Sequence, residues 1–373
     1  MRNLCGDGEW ATRGALHEAW RQARPKYDTD AAIAQLARLY PADVVRDQVG
    51  IPESALDHVV FPLLIDGWTI RSGELLQLGL DLAVCEGWES MRHLVARLRN
   101  EAEFDSARFE VGLWAGARRV GLEATYITAT QVQDCDLEFV DGGERIRVEA
   151  KVCRVSARAR GAQRVWDAVN RAVMVCTAHL PAFGGIELAI QLEPRTAELV
   201  DQGGPEFEVR LEALANALEA HLEACVRPLA LDSTTSIVEE VGRVRFRRGG
   251  DDSGVSISIS DIGDDPVQAA MRALRPASEA RKQLASGGPA LRVAAVSTGT
   301  LDCPAWYAAA IGAREVRDRP ARFAGIDWIV FVNAHTQLGD WQASVGLVAV
   351  SPSSRPPGEA RWLKAMTAWQ RSC

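Results

Sequence analysis

Residues 134–151, Asp-Cys-Asp-Leu-Glu-Phe-Val-Asp-Gly-Gly-Glu-Arg-Ile-Arg-Val-Glu-Ala-Lys, constrain the fold of this chain more than any other stretch. Apolar and charged residues alternate with period two on both sides of Gly142-Gly143, the pattern of a β-hairpin. A two-residue type I′ turn needs φ > 0 at both central positions, and a Gly-Gly pair adopts that without steric cost. Cys135, Leu137, Phe139, Ile146, Val148 and Ala150 then share one face. Asp134, Asp136, Glu138, Arg147, Glu149 and Lys151 share the other.

With that turn, Asp141 pairs with Glu144, Asp136 falls opposite Glu149, and Asp134 falls opposite Lys151. Directly opposed Cβ atoms are about 5 Å apart, so two facing carboxylates repel. A divalent cation with hard oxygen ligands relieves that repulsion. If Asp141-Gly142 formed the turn instead, Asp134 would face Glu149. Both aspartates stay on the charged face in either register, and the choice between them rests on the turn. The plain alternative is a solvated charged face. Composition speaks against it: of 42 basic residues only Lys26, Lys151, Lys282 and Lys364 are lysine. A merely solvated position in such a chain would carry arginine, and Lys151 alone has an acid two residues before it.

At 373 residues the chain can hold two or three domains, and 47% hydrophobic with 25% charged residues fits an ordinary globular protein. A net charge of −8 excludes a cationic coat but leaves room for a local basic stripe. The eight cysteines are scattered, without a Cys-x-x-Cys pair, and read as reduced, buried thiols. The N-terminus has no apolar signal region, and no stretch approaches 18 uncharged apolar residues. The expectation is a cytoplasmic protein that does not enter a membrane. No phosphate-loop lysine motif is present.

Along the chain, Asp28 is placed to cap a helix over 31–40, and 42–70 resembles a helix-turn-helix followed by the start of a wing. The second helix there carries Glu53 and Asp57 instead of bases, which suits a packing or partner role better than DNA reading. A long helix over 88–120 ends at Gly121, and 123–130 reads as a strand before the hairpin. An amphipathic helix over 154–180 and a strand at 186–192 follow. Pro194–Pro205 reads as a linker. Beyond it, 243–248 and 255–260 read as a second hairpin around a Gly-rich turn, then a helix (266–286) and a strand (291–297). Further strands are expected at 327–332 and 345–350, and a last helix at 359–370. The expected domains are a helical, winged-helix-like region (1–88), an α/β core (89–200) and a C-terminal α/β region (201–373) that repeats the core in degenerate form.

The order helix, three strands, helix, strand, with these charged positions, resembles the PD-(D/E)xK nuclease superfamily, the restriction-endonuclease-like fold. Glu149-Ala150-Lys151 stands at the family's acid-x-Lys, Asp136 at its aspartate, and Glu110 on the preceding helix where many members place a further metal-site glutamate. The proline that precedes the aspartate in the family is replaced by Cys135, and Asp134 competes for the role of Asp136. The resemblance covers about residues 100–192. It implies hydrolysis of phosphodiester bonds by Asp136, Glu149, Glu110 and Lys151. Mg²⁺ (or Mn²⁺) would be held by Asp136, Glu149 and Glu110, with Asp134 as the alternative aspartate. Lys151 would orient or deprotonate the attacking water and neutralise charge on the phosphate.

Just after the motif, Arg154, Arg158, Arg160 and Arg164 form a basic stripe with only Asp167 opposing it, suited to phosphate contacts. Gln163 stands where some members of the family have a glutamine. A second arginine group, Arg243, Arg245, Arg247 and Arg248, either clamps nucleic acid or pairs with nearby acids. The expected function is a metal-dependent nuclease on nucleic acid, DNA in the first instance, in bacterial restriction, anti-phage defence or repair. The rival is a non-catalytic DNA- or protein-binding module on a degenerate nuclease fold. In either case the N- or C-terminal region could carry a homo-oligomer contact or a partner protein.

Overall fold

The structure, a computed structural model, describes residues 28–41, 70–127, 135–153, 186–226, 235–238, 241–248, 255–260, 266–285, 288–298, 304–336, 341–351 and 360–368, with parts of 161–173. The helix-turn-helix-like stretch at 42–69 lies outside them. The chain is a mixed α/β protein that divides into two compact units. The first comprises Met1–Cys153, Val267–Gly299 and Cys303–Cys373; the second comprises Arg154–Pro266 and Thr300–Asp302.

In the first unit the expected hairpin forms in the first of the two registers. Strand β2 (Leu137–Asp141) pairs antiparallel with β3 (Glu144–Val152), with Leu137 opposite Val148 and Asp141 opposite Glu144. Gly142 and Gly143 have φ of 62° and 87°, as the turn requires. Strand β1 (Glu123–Tyr126), shorter than expected, pairs with the outer edge of β2.

The other edge of β3 holds a correction. The resemblance implies that Ile186–Leu192 completes the core; the neighbour of β3 is instead β8 (Leu291–Ser297), parallel, with Ile146 opposite Leu291 and Val152 opposite Ser297. Strand β9 (Trp328–Thr336) continues in parallel, and β10 (Trp341–Ala349) closes the six-stranded sheet antiparallel. Of the elements expected to form a repeat of the core, β8, β9 and β10 are part of the core's own sheet, while the strands at 242–248 and 255–260 belong to the second unit. Residues 154–266 are an insertion between β3 and the helix that leads to β8. The expected boundaries near 88 and 200 do not match this division.

Why the sheet takes these strands follows from burial. β8 presents Val293, Ala294, Ala295 and Val296 fully buried, the near-continuous apolar run of a parallel strand covered on both faces. On one face, Leu137, Phe139, Ile146, Val148, Ala150 and Val293 pack into a single core with apolar residues of four helices numbered here in chain order. These are α1 (Thr29–Leu39), α2 (Ile70–Val84), α3 (Arg92–Arg99) and α4 (Glu101–Arg119). Asp28 caps α1 as expected, accepting from the Ala31 N–H at 3.0 Å.

The helix expected over 88–120 is broken. A 3₁₀ turn at Trp88–Ser90 precedes α3, and Asn100 separates α3 from α4. Asn100 is extended (φ −93°, ψ 115°) and its side chain accepts from the Ala102 N–H, so it ends one helix and caps the next. Gly121 closes α4 at φ 76°, the expected C′ position.

Asp81 of α2 is a charged group in this core, 1% exposed. It takes Arg119 Nη1 at 2.6 Å and Gln77 Nε2 at 2.8 Å. Burial outweighs the Arg119 charge and pushes its pKa up to about 7. A folded-state pKa above the unfolded one contributes stability that is fully present below the unfolded pKa and lost as pH rises through the folded one. Relative to Asp81→Asn, which does not titrate, the wild type is therefore expected to lose on the order of 2 kcal/mol of stability between pH 5 and pH 8. Urea denaturation of both proteins at the two pH values checks this; parallel pH profiles would refute it.

The second unit is a four-stranded sheet in the order β5 (Thr235–Val238), β6 (Gly242–Arg248), β4 (Ile186–Leu192), β7 (Val255–Ser260). The expected second hairpin does not form, because β4 lies between β6 and β7, antiparallel to the first and parallel to the second. The stretch expected as a linker is helix α5 (Pro194–Gln202), with Pro194 at N1 and Gly203 (φ 65°) as its C-cap. Its Leu199 and Val200 join Phe207, Leu211, Leu214 and Leu218 of α6 (Pro205–Val226) in the core of this unit.

Candidate active site

The side chains brought together lie in the first unit, on α3, α4, β1 and the hairpin. Alternation along β3 sends Val148 and Ala150 into the core with α4 and sends Glu149 and Lys151 to the opposite face. That second face is also covered. Helix α8 (Ala305–Asp318) lies against Phe331 of β9, and Phe331 shares its face and row with Val296 and Lys151. Glu149 itself is only 1% exposed. A solvated charged face does not describe it.

Asp136 sits at the mouth of the hairpin. Its carbonyl accepts the Ile127 N–H at 2.9 Å, and its side-chain Oδ2 accepts the Ala150 N–H at 2.8 Å. The carboxylate thus replaces a ladder carbonyl and is held beside the acid-x-Lys strand. Burial, then Glu110, then Glu149 push its pKa well above the usual carboxylate range, against the Ala150 N–H and Lys151. Glu149 is raised too, by burial first. Lys151 opposes the rise, with its Nζ donating to Glu149 Oε1.

Burial pulls the Lys151 pKa down, but Glu149, Asp136 and Glu110 outweigh it, so the ammonium is favoured. Glu149 Oε2 has no donor. Its carboxyl lies beside Asp136, so with both acids ionised only a cation can satisfy that oxygen.

Glu110 is placed otherwise than expected. It is 2% exposed and lies near Asp136, yet both of its oxygens are occupied. Arg97 donates Nη1 to Oε2 and Nη2 to Oε1, each at 2.6 Å, a fork-on-fork pair. Tyr126 donates to Oε2 at 2.7 Å and Ser106 to Oε1 at 3.3 Å. A glutamate held this way is the counter-ion of Arg97, and the expectation of Glu110 as a direct metal ligand finds no support in its contacts. Among the described residues no group of three His, Cys, Asp or Glu side chains converges on one cation position. Two acids remain that suit a hard cation, Asp136 and Glu149, and the donorless buried Oε2 of Glu149 is the atom such an ion would satisfy.

No family model matches this chain, and no curated protein or solved structure matches it significantly.

Of the remaining residues singled out in the sequence, Asp134, Arg154, Arg158, Arg160 and Gln163 lie outside the described residues. Arg164 is described. It belongs to the second unit, where it pairs with Glu208 and lies over the Phe207 ring, 5.9 Å from its centroid. Its charge is paired within its own unit. Arg243 and Arg245 are exposed on β6.

Sequence reasoning missed Arg97 and Tyr126. Tyr126 had a signal, as the terminal residue of a strand facing the hairpin's Leu137. Arg97 had little: it lies thirteen residues before its partner, across a helix break at Asn100 that the periodicity does not show.

Proposed function

We propose that this protein is a metal-dependent nuclease that hydrolyses phosphodiester bonds, with DNA as its substrate, in bacterial restriction, anti-phage defence or repair in the cytoplasm. The observation that carries the reading is Glu149. It is a carboxylate 1% exposed, with one oxygen lacking any donor, set beside a second, half-buried acid and a lysine. An uncompensated arrangement of this kind costs stability and recurs where function requires it. The order α4, β1, β2, β3, then α7 (Pro266–Leu284) and β8 supports a restriction-endonuclease-like core interrupted by an insertion after β3. Among the described residues no helix is long and apolar enough to cross a membrane.

Asp136 and Glu149 are the residues that would hold Mg²⁺, which when bound supplies Lewis acidity and a more acidic water. Ala150 fixes the Asp136 carboxylate through its N–H, so this ligand is aimed before substrate arrives. Lys151, its side chain 26% exposed, is the accessible cation of the group and can meet a phosphate oxygen directly. In the metal-free site Glu149 and Asp136 favour the Lys151 ammonium. Its part is to stabilise charge on the phosphate and to orient the nucleophile.

Supercoiled plasmid incubated with the full chain and millimolar Mg²⁺ is expected to be nicked or linearised. EDTA and Glu149→Ala are each expected to stop the reaction. Plasmid left intact under all metal conditions, or cut equally by Glu149→Ala, would sink the assignment.

A further inference from the structure

Three carboxylates, Glu110, Asp136 and Glu149, and two cations, Arg97 and Lys151, influence one another electrostatically in the buried cluster. Resting on the nuclease reading, we propose that Arg97 takes the place of a second divalent ion, so that the site holds one metal ion per chain, on Asp136 and Glu149. The geometry favours this first. Arg97 covers both oxygens of Glu110 at 2.6 Å and also donates Nη1 to the Tyr126 hydroxyl oxygen at 3.1 Å, leaving Glu110 no oxygen without a charged donor. An ion ligated by Glu110 would have to displace a guanidinium whose side chain is only 16% exposed.

Charge favours it next. With all five groups ionised, three negative and two positive charges leave the cluster with one net negative charge. One divalent ion turns that into a single positive charge, ready for a phosphate. Two would leave three positive charges in a poorly solvated pocket, each repelling the others strongly.

The third support is the donorless Oε2 of Glu149, which marks where coordination is wanted, whereas both oxygens of Glu110 are saturated. Arg97 is in this view a positioning residue. It supplies a permanent positive charge that cannot dissociate at low metal, and it holds Glu110 as a fixed negative neighbour of Asp136.

The test counts metal. Isothermal titration of the full chain with Mn²⁺, with stoichiometry confirmed by the free-Mn²⁺ electron paramagnetic resonance signal, is expected to give one ion per chain. Glu110→Gln should retain one ion with its Kd within about threefold. Asp136→Asn should weaken binding by about tenfold or more, the usual cost of disturbing a ligand shell. Arg97→Ala, checked for folding by circular dichroism, should bind two.

Two ions on the wild type would overturn the inference while leaving the nuclease reading intact. So would a tenfold loss in Glu110→Gln, or a folded Arg97→Ala that still binds one. No ion on the wild type at millimolar Mn²⁺ would overturn both. Should Arg97→Ala not fold, the wild-type and Glu110→Gln counts decide alone.

Discussion

Replacing Lys151 by alanine is expected to lower plasmid cleavage by about 10³-fold, the scale seen when one preorganised group facing transition-state charge is removed. The same substitution leaves Glu149 buried without its cation. In the metal-free state the variant is therefore expected to melt below the wild type, since stranding one member of a buried ion pair costs about 3 kcal/mol or more. The two effects separate with Lys151→Arg. A guanidinium keeps the charge beside Glu149 and should restore most of the melting temperature. It is a broad planar fork where the site has a compact point charge, so activity should stay at least about tenfold below wild type. Cleavage by Lys151→Ala within twofold of wild type would remove Lys151 from the chemistry. A melting temperature unchanged by the alanine would show that the Glu149 contact is not sustained in solution.

Gly346→Ala is expected to be the most damaging single methyl in the first unit. A Cβ at this position of β10 would lie 2.0 Å from the Ala305 carbonyl oxygen and 2.7 Å from the Ala309 Cβ. The obstacle is main chain at the start of α8 and cannot swing aside. The helix must lift from the sheet, and the contacts of its buried Ala305, Ala308 and Ala309 are loosened together. Overpacking against a rigid element costs about 3 kcal/mol or more, which for a unit of this size is a fall of about 10 °C in Tm. Gly312 on the same helix is the control. An alanine there meets only side-chain atoms of Val348, Leu274 and Phe331 at 3.2–3.3 Å, and these can give way. Its cost should be under about 1 kcal/mol, partly offset by the helix preference of alanine. Equal melting temperatures for the two variants would show that α8 is not seated on β10 as described.

The parts of the fold that were legible in the sequence are those whose cause is local. Period-two alternation and a Gly-Gly turn specify the hairpin to the residue, because a slip by one position would turn Leu137, Phe139, Ile146 and Val148 out of the core. Asp28 and Gly121 mark helix ends by side-chain and backbone chemistry that acts within a few residues. What was not legible depends on partners distant in sequence. A parallel neighbour of β3 has no signature in β3 itself, and Ile186–Leu192, the next apolar strand along the chain, pairs in the other unit.

The site divides in the same way. The acid-x-Lys pattern and the aspartate opposite it follow from register. The saturation of Glu110 follows from Arg97, a residue whose own helical context gives no reason to single it out.

The insertion after β3 has a consequence for the order in which the molecule is made. Leu291, the partner of Ile146, leaves the ribosome roughly 145 residues later. At about 5–20 residues per second, the hairpin exists for on the order of ten seconds with one long edge unpaired. Unpaired edges invite foreign strands, and charged side chains along them are the usual defence. Glu144, Arg145, Arg147, Glu149 and Lys151 all stand on that edge strand. The charges proposed for catalysis in the finished protein thus serve first as a guard on a nascent one, keeping β3 open for the one strand meant to cover it.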